Sequence, residues 1–418
     1  MTTKKTPQAK AAKQLWQWHQ QQASLSGVEF DSPLCQEMIY GVVRWWTHLD
    51  AILKPCMHKP MKPSKVVYWL LLLGVYQLRF MKTPDPVVVN ECVKATKELK
   101  QPGLSSAVNA ILRAVCRQKE PTFPSLEAES AHPAWFIKMI KQAYPDDWEN
   151  ILAVNNQYPP MVLRINPAKV SRDAYLKKLQ AMDIEATPTP LSDVGLQLNK
   201  SRPLQGLPDD VVSQGEASQC VAPALQIPNE DGIRVLDACC APGGKLRHML
   251  ALAPKADLLG LDVSAKRVEA MPAIKAKVLV ADAAEPDTWH DGRLFHRILI
   301  DAPCSGSGVI RRHPDIKWRR RESDIPALVA EQHALLNILW PLLEKDGICV
   351  YSTCSIFPEE NQQVIDAFLQ ENPDATLEPL ELSGARLNQF GTQLLPADNG
   401  VDGFFIAVLR KAALSSRT

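Results

Sequence analysis

No two cysteines stand three residues apart in this 418-residue chain, although it contains ten. The missing C-x-x-C spacing argues against a zinc site, and no metal is expected. A secretion-type apolar segment is also missing from the opening residues MTTKKTPQAK. Ten thiols without one point to free cysteines in a reducing, cytoplasmic setting rather than a disulfide framework. The chain lacks a membrane-length apolar run as well. Its longest, VVYWLLLLGVYQL, covers 13 residues (66–78), where a bilayer requires about 20, so it reads as a buried core helix. Charge imbalance is absent too: 47 Lys and Arg against 46 Asp and Glu leave a net charge of +1. Composition therefore names no partner, and any nucleic-acid surface must come from local clustering of basic residues. There is no internal repeat, no low-complexity tract and no G-x-G-x-x-G dinucleotide loop.

What is present divides into three regions, as expected for a chain longer than one core usually serves. Residues 1–125 are expected to be helical. SPLCQEMIYGVVRWWTHLDAIL carries apolar residues at spacings of three and four, with Ser32-Pro33 as a start. The run 66–78 follows, and VVVNECVKATKEL and SSAVNAILRAVCRQ add two amphipathic segments. EPTFPSLEAESAHP (120–133), with three prolines and no apolar period, reads as a linker. Residues 132–228 are mixed: AWFIKMIKQAY and YLKKLQAM have helical spacing, while MVLRINP and LQLNK look like strands, giving a small α+β domain. Residues 229–413 alternate short apolar runs with helix-like stretches. IRVLDAC, ADLLGLD, AKVLVAD, RILIDAP and GICVYSTC predict a parallel α/β sheet with crossover helices, and FFIAVLR adds a further strand. In such sheets ligands bind beyond the carboxyl ends of the strands, which is where four aspartates and two cysteines fall.

LDACCAPGGK (236–245) joins the first of these strands to the helix KLRHMLALA through adjacent glycines. Such a turn brings backbone close to a ligand at a helix N-terminus, although a tight turn with no ligand has the same sequence. Asp262, ending the second strand, can accept the hydroxyls of a ribose, or can cap a helix together with Ser264. Asp282 can take an adenine amino group, and Asp301 ends the fourth strand. Several carboxylates at neighbouring strand ends repel phosphate but suit a cationic nucleoside, so S-adenosylmethionine is the expected cofactor. Cys304 in DAPCSG and Cys354 in YSTCS both sit just past a strand at this edge. Either suits a nucleophile, and a small buried packing role fits either as well. The other cysteines are read as packing residues.

LDACCAPGGK, ILIDAPCSGSGVIRRHPDIKW, YSTCSIFPEEN and VDGFFIAVLRK resemble the motifs of the RNA 5-methylcytosine methyltransferase family. The front-half segments IYGVVRWWTHLD, LLLGVYQLRFM, VVVNECV and GLSSAVNAILR are similar to a NusB-like helical RNA-binding domain. The resemblance covers nearly the whole chain. It implies an all-α NusB-like bundle, a small α+β middle domain and a C-terminal Rossmann-like methyltransferase domain. It further implies methylation of carbon 5 of a cytosine, with 16S rRNA as partner, no membrane association and a monomeric enzyme. By the same resemblance Cys354 is the nucleophile that adds to carbon 6 of the base, and Cys304 serves product release. Cofactor contacts are implied at Cys239, Cys240, Ala241, Pro242, Gly243, Gly244, Lys245, Asp262, Asp282 and Asp301. Three positions depart from the family pattern: Cys240, Gly215, and Leu246 where a hydroxyl residue commonly follows GGK. The stretch from Asp262 to Asp282 is also short and contains Pro272, which predicts a truncated helix.

RRHPDIKWRRR (311–321) gathers five arginines and a lysine around a tryptophan. Arg311, Arg312 and Lys317 are expected to hold phosphates and Trp318 to stack on a base, against the plainer reading of a solvated charged face. Lys4, Lys5, Lys10, Lys13, Arg44 and Arg113 are weaker candidates of the same kind. Two other functions fit parts of the pattern: a tRNA-directed cytosine-C5 methyltransferase, and a non-catalytic RNA-binding assembly factor.

Overall fold

The computed structural model describes residues 5–119, 121–208 and 211–412. Among them, no helix is long and apolar enough to cross a membrane. The chain packs as two compact units, one formed by residues up to Gln157 with Ile310–Glu322, the other by Tyr158–Val309 and the chain from Ser323 onward.

The first unit is helical: α1 (Pro7–Gln21), α2 (Pro33–Arg44), α3 (Trp46–Leu53), α4 (Val66–Phe80), α5 (Asp85–Glu98), α6 (Ser105–Arg117), α7 (Leu126–Ser130), α8 (Ala134–Ala143) and α9 (Trp148–Asn155). Thr6, Ser32 and Ser125 cap α1, α2 and α7 through their hydroxyls, and proline opens α1 and α2. The apolar run forms α4, whose residues Val67–Gln77 are all buried. Gly41 lets α2 approach α4, because a Cβ there would lie 1.9 Å from the Tyr76 ring. The helix expected over 32–53 is broken at Trp45 (φ −111°, ψ 18°). The break sends Trp46 inward against Trp69, with ring centroids 5.0 Å apart, while Trp45 stacks on Phe80.

The expected linker is not one. Ser125 starts α7, Phe123 stacks on His48, and His132 is fully buried with its ring against the Asn155 amide. Proline content alone suggested a loop, but capping and burial fold this stretch into the helical unit. Helices α8 and α9 pack there as well.

The second unit holds two sheets. The smaller, of order β2-β3-β1-β4, is antiparallel and comprises β1 (Met161–Ile165), β2 (Ala186–Pro188), β3 (Gly195–Leu198) and β4 (Val211–Ser213). Tyr175 and Leu179 of the helix Arg172–Gln180 fill its core. The larger sheet contains β5 (Arg234–Asp237), β6 (Asp257–Asp262), β7 (Lys277–Val280), β8 (Phe295–Asp301), β9 (Leu343–Thr353), β10 (Ala375–Glu378), β11 (Arg386–Asn388), β12 (Gly391–Leu394) and β13 (Phe404–Lys411). Its order is β11-β12-β13-β9-β8-β5-β6-β7, with β10 also on β13. The five strands read from the apolar runs pair in parallel, and β13 joins antiparallel. The truncated helix after Asp262 spans only Ala265–Glu269. Strand order reverses between β5 and β8, which opens a crevice at their carboxyl ends.

Candidate active site

Asp237 closes β5, and the chain turns through Cys239–Gly243, with a cis Ala241–Pro242 peptide, into the helix Gly244–Leu252. Gly243 sits at φ +90°, and a Cβ there would come within 2.6 Å of Met271 Cε, so glycine is required. Arg164 of β1, buried, donates to the Gly244 carbonyl at 2.6 Å and also to Gln214, tying the small sheet to this turn. A cavity of about 410 Å³ opens between them. Asp237, Cys239, Cys240, Ala241, Pro242, Gly244, Lys245 and Asp301 line one part, with Gln214, Ser218 and Arg247 among the other residues around it.

Both carboxylate oxygens of Asp237 are buried and neither closes a hydrogen bond of good geometry within the protein, although the Cys239 N–H is near enough to lower its pKa in part. Burial, then the nearby Asp301 charge, pushes its pKa up to about 7, against the opposing pull of Lys245. An acid left in this state needs a donor from a ligand. A cationic amino-acid-like group fits, so the residues present suit S-adenosylmethionine. Sequence reasoning passed over Asp237, Gln214 and Arg164, although the aspartate lies inside the quoted LDACC.

The remaining expected cofactor residues are distributed unevenly. Asp262 is buried and accepts the Ala241 and Ser264 N–H groups at 3.2 and 2.9 Å, with Arg267 Nη1 at 3.1 Å, so it shapes the turn. Asp282 is exposed and accepts the Ala284 N–H at 2.9 Å. Neither lines the cavity. Cys240 packs against Gly260, where a Cβ would meet its sulfur at 2.9 Å. Burial drives the Cys239 thiol far above its usual pKa and that of Cys240 to about 12, which keeps both neutral in the cavity wall.

At the ends of β8 and β9 the two loop cysteines meet, with Cys304 Sγ 3.4 Å from Cys354 Sγ. Lys245 Nζ lies 2.7 Å from Asp301 Oδ2, and Ser352 Oγ donates to Asp301 Oδ1 at 2.8 Å. Burial lowers the Lys245 pKa, but Asp301, helped by Cys354 and Asp237, outweighs it and holds the ammonium above its ordinary value. The Cys304 thiol is pushed well up by its hydrogen bond to Cys354, by burial and by the charge of Glu360. Gly308 and Gly403 bring the Cys304 loop against β13, since a Cβ on Gly308 would lie 2.2 Å from the Gly403 carbonyl oxygen.

The expected RNA contacts in 311–321 require correction. Arg311 and Lys317 are buried in the helical unit, each about 1% exposed. The Lys317 amine donates to the Arg44 carbonyl at 2.7 Å and to Asn156 Oδ1 at 2.9 Å. Trp318 donates to the Val43 carbonyl at 2.7 Å and packs its ring on Trp46. Arg311 gives its carbonyl to Arg44, and Arg319 pairs with Asp315. Burial closes Arg311, Lys317 and Arg44 to phosphate, whereas Arg319 and Arg320 are half-buried and Arg321 is exposed. Arg312 is half-buried. In the front region Lys5 and Lys13 are exposed, Lys10 pairs with Asp31, Arg113 bonds Asn109, and Lys4 lies outside the described residues.

The family described as 16S rRNA methyltransferase RsmB/F matches residues 222–410, its ferredoxin-like domain matches 132–205, and the NusB family matches 4–117. Ribosomal RNA small subunit methyltransferase B of Pseudomonas putida is 41% identical over 403 residues, spanning 93% of this chain and 92% of its own. The chain belongs to the RsmB/F methyltransferase family. The Pasteurella multocida protein of the same name is also 41% identical to this RsmB/F member, over 91% of this chain and 88% of its own. Among solved structures, PH0851 superposes with a TM-score of 0.81 at 22% identity, covering 98% of this chain and all of that one. A methyltransferase homolog protein from Pyrococcus horikoshii gives 0.59 at 26% identity over 69% of this chain and all of its own. The fold of this RsmB/F member is thus a NusB-like bundle, a ferredoxin-like middle region and a methyltransferase sheet.

Proposed function

We propose that this RsmB/F member moves the methyl group of S-adenosylmethionine to carbon 5 of a cytosine in 16S rRNA, through a transient bond between Cys354 Sγ and carbon 6. The observation that carries this reading is the close thiol pair, with Lys245 near enough to Cys354 to interact with it, and the Lys245–Asp301 ion pair lining a cavity that also holds Asp237. We assign catalysis to residues 229–413 and rRNA binding in part to residues 1–125 and 132–228.

Carbon 5 of a cytosine is a poor nucleophile until a thiolate adds at carbon 6. Cys354 is the better attacker, because the Lys245 ammonium stands close to it, whereas a hydrogen bond to Cys354 and burial hold Cys304 as the neutral thiol. A neutral Cys304, 3.4 Å away, can donate its S–H to the attacking sulfur and disperse the negative charge there. Lys245, fixed by Asp301, supplies a cation for charge that develops on the ring. When bound, S-adenosylmethionine supplies an electrophilic methyl group. A base, with solvent water as the acceptor within reach of an open site, takes the carbon 5 proton; the C–H pair returns to the ring as the Cys354–carbon 6 bond breaks, and the departing thiolate takes a hydrogen bond from the Cys304 S–H. The target base must be unstacked to reach the thiols.

Incubation with unmodified 16S rRNA and methyl-labelled cofactor tests the reading. Label should appear on carbon 5 of cytosine and vanish with Cys354→Ala. Label that persists in that variant removes the covalent step.

A further inference from the structure

Both loop cysteines are followed by serine, in Cys304-Ser305 and Cys354-Ser355. The two serines converge on one carboxylate. Glu360, fully buried, accepts the Ser305 N–H on Oε1 at 2.7 Å and the Ser305 hydroxyl on Oε2 at 2.5 Å. The Ser355 hydroxyl donates to the same Oε2 at 2.5 Å, and the Gln332 side-chain amide donates to Oε1 at 3.1 Å. Further contacts stitch the loops together: Ser307 Oγ lies 2.9 Å from Ser355 Oγ and accepts the Ile356 N–H at 2.9 Å, Ser305 Oγ lies 3.2 Å from Ser355 Oγ, and the Gly308 N–H donates to the Cys354 carbonyl at 2.9 Å. The Tyr351 hydroxyl fixes the Glu360 backbone by donating to its carbonyl at 2.6 Å.

A buried carboxylate is retained only when its acceptor sites are filled, and here both oxygens are filled by the two loops. We propose that Glu360 is a positioning residue: by binding the serine after each cysteine, its carboxylate holds the Cys304 and Cys354 sulfurs in register for attack and release. This rests on the catalytic reading above. A carboxylate sharing donors from both loops ties their separation to a rigid group, and sub-ångström placement of reacting atoms governs the rate of the chemical step rather than substrate affinity. The oxygens differ in what they demand. Oε1 faces two obligate N–H donors, whereas Oε2 faces two hydroxyls that can turn and accept instead. A glutamine, with its carbonyl at Oε1 and its amide at Oε2, can therefore keep the clamp, and alanine cannot.

The test uses the full-length protein and two readouts. In the first, steady-state methylation should show kcat lowered about 100-fold in Glu360→Ala with KM for rRNA and for cofactor within about 3-fold, and most of the loss regained in Glu360→Gln. In the second, phenylarsine oxide bridges two nearby thiols with loss of water, and the bridged peptide pair is identified by mass. Bridging of Cys304 to Cys354 should need at least about tenfold more reagent in Glu360→Ala and near wild-type amounts in Glu360→Gln. Should Glu360→Ala not fold, the Ser305→Ala/Ser355→Ala double variant removes both hydroxyl contacts to Glu360 and should lower kcat in the same manner. Unchanged kcat and bridging, a loss confined to KM, or a glutamine variant as impaired as alanine would each overturn the proposal. The arsenical readout does not depend on turnover, so an active Cys354→Ala enzyme would defeat the covalent reading while leaving the role of Glu360 separately decided.

Discussion

Asp237 shows what a single unpaired carboxylate commits a site to. Its folded pKa, about 7, stands above the ordinary 3.8, so the native state binds a proton that the unfolded chain has lost between about pH 4 and 7, and the stability from that proton falls as pH rises through this window. Above pH 7 the ionised group is available to a cationic ligand. Cofactor affinity measured by calorimetry should therefore increase from pH 6 to pH 8 around a midpoint near 7, and Asp237→Asn should weaken binding about tenfold and flatten the profile. A flat wild-type profile would show that Asp237 does not contact the cofactor. Between the thiols the expected division is sharper. Cys304→Ala should retain attack by Cys354 but stall release, leaving a protein–RNA adduct visible on denaturing gels. Normal turnover without adduct would remove Cys304 from the release step. The LDACC, DAPCSG and TCS positions were legible in the sequence because short apolar runs ending in polar residues mark strand ends. The partners of Asp237 were not, since being unpaired is a property of the space around a residue.

At the scale of elements, Lys317 and Trp318 in the basic stretch 311–321 are the clearest case of a one-dimensional signal misread. Six positive residues near a tryptophan look like a phosphate-binding strip, yet Lys317 and Trp318 close hydrogen bonds to the C-terminal end of α2 and Lys317 binds the Asn156 amide oxygen just beyond α9. Burial, then the Arg44 charge, drives the Lys317 pKa well below the lysine range, which suits a neutral donor and not a phosphate counter-ion. Trp318→Ala should cost the helical unit about 2–4 kcal/mol in denaturant unfolding. Lys317→Met should leave the salt dependence of rRNA binding unaltered, where loss of a phosphate contact would reduce the log–log slope by about one. A reduced slope would restore the segment to the RNA surface. Sequence cannot separate a buried, carbonyl-capping lysine from a solvated one, because the carbonyls it caps belong to residues more than a hundred positions away.

For the molecule as a whole, the compact units are not continuous in sequence, because Ile310–Glu322 packs with the helices. A fragment of residues 1–157 alone lacks the donors that Lys317 and Trp318 bring to the Arg44 and Val43 carbonyls. It should unfold at a lower midpoint than the helical unit in the full chain, and a synthetic 310–322 peptide added in trans should raise that midpoint. No shift with excess peptide would show that the segment contributes nothing to the stability of the helices.

The parallel strands, the helical front region, the glycine turn after β5 and the placement of both loop cysteines at strand ends were legible in the sequence, since each depends on local periodicity, on glycine and proline geometry, or on a motif contiguous in the chain. Tertiary structure alone decided four things: that Asp237 lacks a partner, that Glu360 joins the two cysteine loops, that Arg164 braces the turn, and that 310–322 lies within the helical unit. Each requires groups from distant positions to share a few ångströms of space, and burial at those meeting points determines protonation and hydrogen bonding in ways that residue identity does not encode.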